Sequence, residues 1–150
     1  KPLHEASTLT LKESKMNILF FLKPKTEVVF LKEDDTVRNA LEKMEHYRHA
    51  AIPILKNDGG YLGTLSEGDL LWFLKSNHNM NLLETEDIPL VKVPRYFNDK
   101  AVRVGTNVEE LFLLSAQQNY VPVVDDRGMF IGIVTRKDII NYMVKNQKPH

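Results

Sequence analysis

The sequence predicts an α+β fold built from two β-α-β-β-α units related by a pseudo-twofold axis, with a short helix in front. Three observations predict it. The chain repeats itself: Ile52-Pro53-Ile54-Leu55, Asn57-Asp58-Gly59 and Gly63-Thr64-Leu65-Ser66-Glu67-Gly68-Asp69 return as Val121-Pro122-Val123-Val124, Asp126-Arg127-Gly128 and Gly132-Ile133-Val134-Thr135-Arg136-Lys137-Asp138, with the same internal spacing. Such a repeat decides the architecture before any single element does. A helical stripe precedes each repeat and another follows it. Finally, the proline-bearing strand of each copy is apolar with little alternation, as expected of a strand covered on both faces. A three-stranded sheet with two helices leaves one side bare, so the two copies must cover each other.

Taken in order, Ser14 to Leu22 reads as a short helix stopped by Pro24, its apolar face formed by Ile18, Leu19, Phe21 and Leu22. Val28 to Leu31 is a short β-type run. Asp34-Asp35-Thr36 supplies cap chemistry for a helix on which Val37, Ala40, Leu41 and Met44 share one face. Ala51 to Leu55 and Tyr61 to Leu65 form a hairpin around Lys56 to Gly60. Pro53 and Pro122 are read as strand starts, where no ladder donor is needed. Ser66 opens a helix carrying Leu70, Leu71, Phe73 and Leu74, and Ser76 to Glu86 is a polar linker. Pro89 and Pro94 keep the following stretch extended. Ala101 to Val104 opens the second copy. Val108, Leu111, Phe112 and Ser115 repeat the first stripe, Tyr120 to Val124 and Phe130 to Val134 the hairpin, and Thr135 begins the last helix. The resulting boundaries are a leader at 1–15, the first unit with its preceding helix at 16–76, a linker at 77–89, the second unit at 90–146 and a tail at 147–150.

Composition narrows the function. A chain of 150 residues buries enough surface to need no staples, and with no cysteine it has no disulfide, thiolate metal site or cysteine nucleophile. Its 20 basic and 20 acidic residues cancel, so no bulk field favours nucleic acid, and none is expected as a partner. No apolar run is long enough to cross a bilayer, and the N-terminal residues lack the apolar core of a secretory signal; a cytoplasmic protein without membrane contact is expected. No nucleophile elbow, phosphate loop or zinc-helix motif is present, and no catalytic residue or metal ligand is assigned. His46 and His49 are read as solvated histidines.

The β-α-β-β-α order, the Ile52-Pro53 and Val121-Pro122 strands, and the paired Gly63-x-x-Ser66-x-x-Asp69 and Gly132-x-x-Thr135-x-x-Asp138 motifs resemble the tandem cystathionine-beta-synthase (CBS) domain pair, or Bateman module, over roughly 28–144. That resemblance implies non-catalytic, regulatory binding of an adenosyl ligand (AMP, ADP or ATP) in clefts shared by the two units. The aspartate takes the ribose hydroxyls, the hydroxyl residue reaches phosphate or ribose, and backbone before the strand proline reads the adenine. The main cleft would use Thr26, Val28, His49, Ala50, Ala51, Thr135, Arg136, Lys137 and Asp138. The second would use Ser66, Asp69, Lys100, Asn119, Tyr120 and Val121. Arg136-Lys137 beside a helix N-terminus favours an anion, whereas Glu67 in the other copy repels one. The Asp138 cleft is therefore expected to prefer nucleotides, leaving the Asp69 cleft weaker, empty or suited to a less charged adenosyl ligand.

Each Ser/Thr-x-x-Asp also fits a helix cap with an acid in the first turn. A ligand-free dimerisation or partner-docking module therefore stands as an alternative, as does a cyclic di-AMP sensor. Trp72, Phe73, Tyr142 and Met143 exceed one core stripe, which points to a homodimer, and any output requires a separate effector protein that the sequence does not name.

Overall fold

The computed structural model describes residues 17–77, 80–96 and 99–146; the expected leader and tail, His4, His78, His150 and the first residues of the predicted N-terminal helix lie outside them. The two expected units are present. In the first, β2 (Leu31–Lys32), α1 (Val37–Tyr47), β3 (Ala51–Leu55), β4 (Tyr61–Ser66) and α2 (Glu67–Ser76) follow in order. In the second, β5 (Val102–Arg103), α3 (Val108–Ser115), β6 (Tyr120–Val124), β7 (Phe130–Thr135) and α4 (Arg136–Lys145) repeat them. The sheets run β2-β3-β4 and β1-β7-β6-β5, where β1 is the two-residue strand Lys23–Pro24.

Local chemistry explains the element ends. Thr36 caps α1 with its hydroxyl on the Asn39 N–H, and Asn39 returns the favour to the Thr36 N–H. Asn107, Ser66 and Thr135 likewise accept the N–H three residues on at the starts of α3, α2 and α4, and of these only Ser66 is repaid, by Asp69. In the hairpin turns Gly59 and Gly128 sit at φ 96° and 82°, conformations that glycine adopts without strain. The prolines are placed differently from the expectation. Pro53 and Pro122 lie inside β3 and β6, paired with Thr64 and Ile133. Each is tolerated because the parallel neighbour begins one residue later: β2 pairs from Ile54, and β5 from Val123.

The N-terminal helix is a 3-10 turn, Ile18–Phe21, capped by Asn17. It packs on the second unit, where Ile18 and Phe21 join Val108, Leu111, Val121 and Ile139 in the core. Just beyond it, Lys23 pairs with Ile133 and Pro24 with Gly132, which makes the second sheet four-stranded rather than three. The segment leading into the second unit reciprocates: Leu90 and Val93 are buried among Leu31, Val37, Ile52 and Leu65 of the first. Each unit thus completes its partner's core. A third cluster, Val28, Leu55, Tyr120, Phe130 and Ile133, lies between the units. The two hairpin turns meet on the pseudo-axis, with the Phe130 N–H donating to the Gly59 carbonyl at 3.0 Å and a bridge between Gly60 and Met129.

Candidate functional site

The two Ser/Thr-x-x-Asp motifs have the same backbone and different side-chain fates. At α2, Ser66 and Asp69 form a full capping box: the Ser66 hydroxyl accepts the Asp69 N–H at 3.1 Å, and the Asp69 carboxylate accepts the Ser66 N–H at 3.0 Å. The other Asp69 oxygen accepts the Tyr96 N–H at 3.0 Å, and the residue is buried. At α4, Thr135 accepts the Asp138 N–H at 3.1 Å, but nothing is returned. Asp138 is exposed, and among the described residues its carboxylate has no hydrogen bond or ion pair.

Between the units, on the Thr135 side, lies a cavity of about 400 Å³. Of the residues expected in the main cleft, Val28, His49, Ala50, Ala51 and Thr135 line it. Thr26, in the 3-10 turn Lys25–Glu27, does not, nor do Arg136, Lys137 and Asp138 at the start of α4. Arg136 is committed elsewhere, since its Nε donates to the Ser115 carbonyl at the end of α3 at 2.8 Å. Lys137 is exposed. The cation on the cavity wall is Lys23, which the motif-based reading missed because it lies in the two-residue strand β1. Ile133 and Pro53 complete an apolar wall, and Asn119 and Tyr120, expected in the second cleft, border this one.

The pseudo-symmetric cavity is about 190 Å³ and is lined by Thr64, Ser66, Asp69, Asp99, Gln117, Gln118 and Asn119, with Ala50 and Ala51 bordering it as they do the first. Lys100 and Val121 line neither cavity. Lys100 is held by its backbone, whose N–H donates to Gln118 Oε1 at 2.8 Å while its carbonyl accepts from Gln118 Nε2 at 3.1 Å. The Val121 side chain is buried in the core of its own unit. Thr64 shares hydrogen bonds with the Tyr61 hydroxyl at 2.7 Å and, across the units, with the Tyr120 hydroxyl at 2.8 Å. Burial pushes the Tyr61 phenol up to about 12 and Tyr120 well above its ordinary value. Asp99 is raised too, by burial and then by the Asp69 charge beside it. This side is acidic and hydroxyl-lined; the other is apolar with a lysine.

Among the described residues no group of three or more His, Cys, Asp or Glu is placed to hold a metal ion, and no helix is long and apolar enough to cross a membrane. His46 and His49 flank the Tyr47 ring, with centroids at 4.6 and 6.2 Å.

A family model for the CBS domain matches residues 21–76 and again 87–145. The chain belongs to the CBS domain family. It resembles the magnesium and cobalt efflux protein CorC of Buchnera aphidicola subsp. Acyrthosiphon pisum, at 27% identity over 87% of this chain and 43% of that protein. The chain therefore spans less than half of that relative's length. Among solved structures, CbpB in complex with c-di-AMP superposes with a TM-score of 0.81 at 15% identity, covering 95% of this chain and 93% of that one. CBSX2 in complex with AMP superposes with a TM-score of 0.63 at 22% identity, covering 88% and 98%. At these identities the likeness is one of fold: a tandem CBS pair.

Proposed function

We propose that the chain is a non-catalytic regulatory module that binds an adenosyl ligand of the AMP, ADP or ATP class in the Asp138 cleft. One observation carries the reading. A cavity of about 400 Å³ opens between the CBS units beside the N-terminus of α4, where Asp138 keeps an unengaged carboxylate. An apolar wall of Val28, Ala51 and Ile133 suits a purine face, and the Ala50 backbone offers it an edge. Asp138 takes the ribose diol. Lys23 and the positive end of the α4 dipole balance phosphate. That solved neighbours carry c-di-AMP or AMP supports an adenine-bearing ligand.

Calorimetry with AMP, ADP and ATP tests this. Native protein binds at least one of them, and Asp138→Ala weakens that binding about tenfold or more, since hydrogen bonds to a charged group contribute about 1.5–3 kcal/mol each. No heat with any of the three ends the proposal. Competition between AMP and cyclic di-AMP separates the mononucleotide reading from a cyclic dinucleotide one. Bridging two units, the ligand signals by favouring one inter-unit angle over another, which requires different affinities for the two.

A second copy of the chain is proposed as a standing partner. Leu71 and Trp72 on α2 are 58% and 59% exposed, and Ile140 and Val144 on α4 are exposed as well.

A further inference from the structure

In the Asp69 cleft, the groups a ligand would use are already taken by the chain itself. Asp69, 7% exposed, accepts the Ser66 N–H on one carboxylate oxygen and the Tyr96 N–H on the other, both at 3.0 Å. Asp138 accepts neither kind of bond. The strands add a second difference. Where β3 presents Ala51, β6 presents Tyr120 at the corresponding repeat position. The Tyr120 phenol crosses to the Thr64 hydroxyl at 2.8 Å, and Thr64 is also bonded to Tyr61. The counterpart of Thr64 is Ile133, which has no hydroxyl, so this lock exists on one side only. The leaders differ as well. In the second unit Lys23–Pro24 pair with β7 over Gly132. In the first, the position over Gly63 is filled by the Arg95 guanidinium, which donates to the Leu62 carbonyl at 3.2 Å, and the chain turns so that the Tyr96 N–H meets Asp69. The space lined by Ser66, Asp69 and Thr64 is about 190 Å³, against about 400 Å³ on the other side, and a separate cavity of about 740 Å³ lies where Asp69 and Tyr96 meet Trp72 and Phe73.

We infer that the Asp69 cleft is a self-occupied site, in which the Tyr96 N–H stands where a sugar hydroxyl would donate and the Tyr120 phenol is tied to Thr64 on the cleft wall, so that the chain takes one adenosyl ligand rather than two. This rests on the nucleotide reading above and sharpens it: Tyr120 sets the stoichiometry. A buried carboxylate whose oxygens are already hydrogen-bonded must lose those bonds before it can bind a diol, and the exchange brings little net gain.

Calorimetric titration of the full chain with AMP tests the inference. Wild type shows one site per chain, weakened about tenfold or more in Asp138→Ala. Tyr120→Ala, which copies Ala51 to this position and also trims the wall of the first cavity, creates an event that persists when Asp138→Ala is added and disappears when Asp69→Ala is added. Tyr120→Phe, which keeps the ring, stays at one site. Two sites in wild type, or a site that survives Asp138→Ala and disappears in Asp69→Ala, overturns the inference while leaving nucleotide binding intact. A folded Tyr120→Ala/Asp138→Ala chain with no site also overturns it. Should Tyr120→Ala fail to fold, the wild-type stoichiometry and its response to Asp138→Ala still decide. No heat in any titration removes the nucleotide reading, and this inference with it.

Discussion

At the scale of the residue, identical motif positions take different roles because of what packs beside them. Asp69 is built into the body by a capping box and the Tyr96 N–H, whereas Asp138 stays open. As caps the two motifs fit equally well; within them only Glu67 against Arg136-Lys137 tells the copies apart. The hydroxyl lock of Tyr61, Thr64 and Tyr120 has a consequence for pH. Burial is the largest cause of the Tyr61 shift, and the nearby Asp99 charge adds to it, lifting the phenol to about 12 from 10.0. A phenol whose native pKa is raised is protonated in the folded chain at a pH where the unfolded chain has released the proton. Its stabilising contribution is therefore whole below about pH 10 and is lost as pH rises toward about 12. Urea midpoints should fall across that window, and Tyr61→Phe should make the fall shallower. An unchanged slope in Tyr61→Phe would count against the lock.

At the scale of the element, the two glycines that open the motifs carry different loads. A Cβ on Gly132 would collide with the Lys23 backbone carbonyl, the strand that closes the second sheet. A Cβ on Gly63 would meet only the far end of the Arg95 side chain, which can swing away. Gly132→Ala should therefore cost about 1–3 kcal/mol, in the range of other overpacked sites, and Gly63→Ala distinctly less. Chemical denaturation of the two variants decides it, and equal losses would refute the distinction. The main helices, the hairpins and the caps at Thr36, Ser66 and Thr135 were legible in the sequence because period, turn residues and cap residues are local signals, whereas the Asn107 cap was not read. The β1 strand was not: two residues, Lys23–Pro24, carry no periodicity, and their partner Ile133 is remote in the chain. With β1 went Lys23, the cation on the cavity wall. The reading instead trusted Arg136, whose position in the motif is plain but whose guanidinium is drawn to the Ser115 carbonyl.

At the scale of the whole molecule, the leaders are exchanged. Ile18 and Phe21 complete the second core, while Leu90 and Val93 complete the first. Neither unit holds a full core on its own segment of chain, so the inter-unit geometry is tied to both cores, and a ligand that shifts it is felt throughout. The exposed apolar residues of α2 and α4 sit on the terminal helix of each unit, an arrangement that a second copy can match with its own. Sedimentation of the protein at micromolar concentration should show a dimer, and Trp72→Glu with Ile140→Glu should return it to monomer with the fold retained. A wild-type chain that sediments as a monomer would remove the dimer from the proposal.

The sequence by itself determined the duplication, the strand and helix order of each unit and the pair of hydroxyl-aspartate motifs, since all of these are written in spacings along one stretch of chain. Only the tertiary structure decided which aspartate is free, which lysine faces the cavity, and that Tyr96 engages Asp69 while Tyr120 engages Thr64. Those outcomes depend on groups brought together across the pseudo-axis from distant parts of the chain. Two copies that look alike in sequence are distinguished there by the neighbours each one meets.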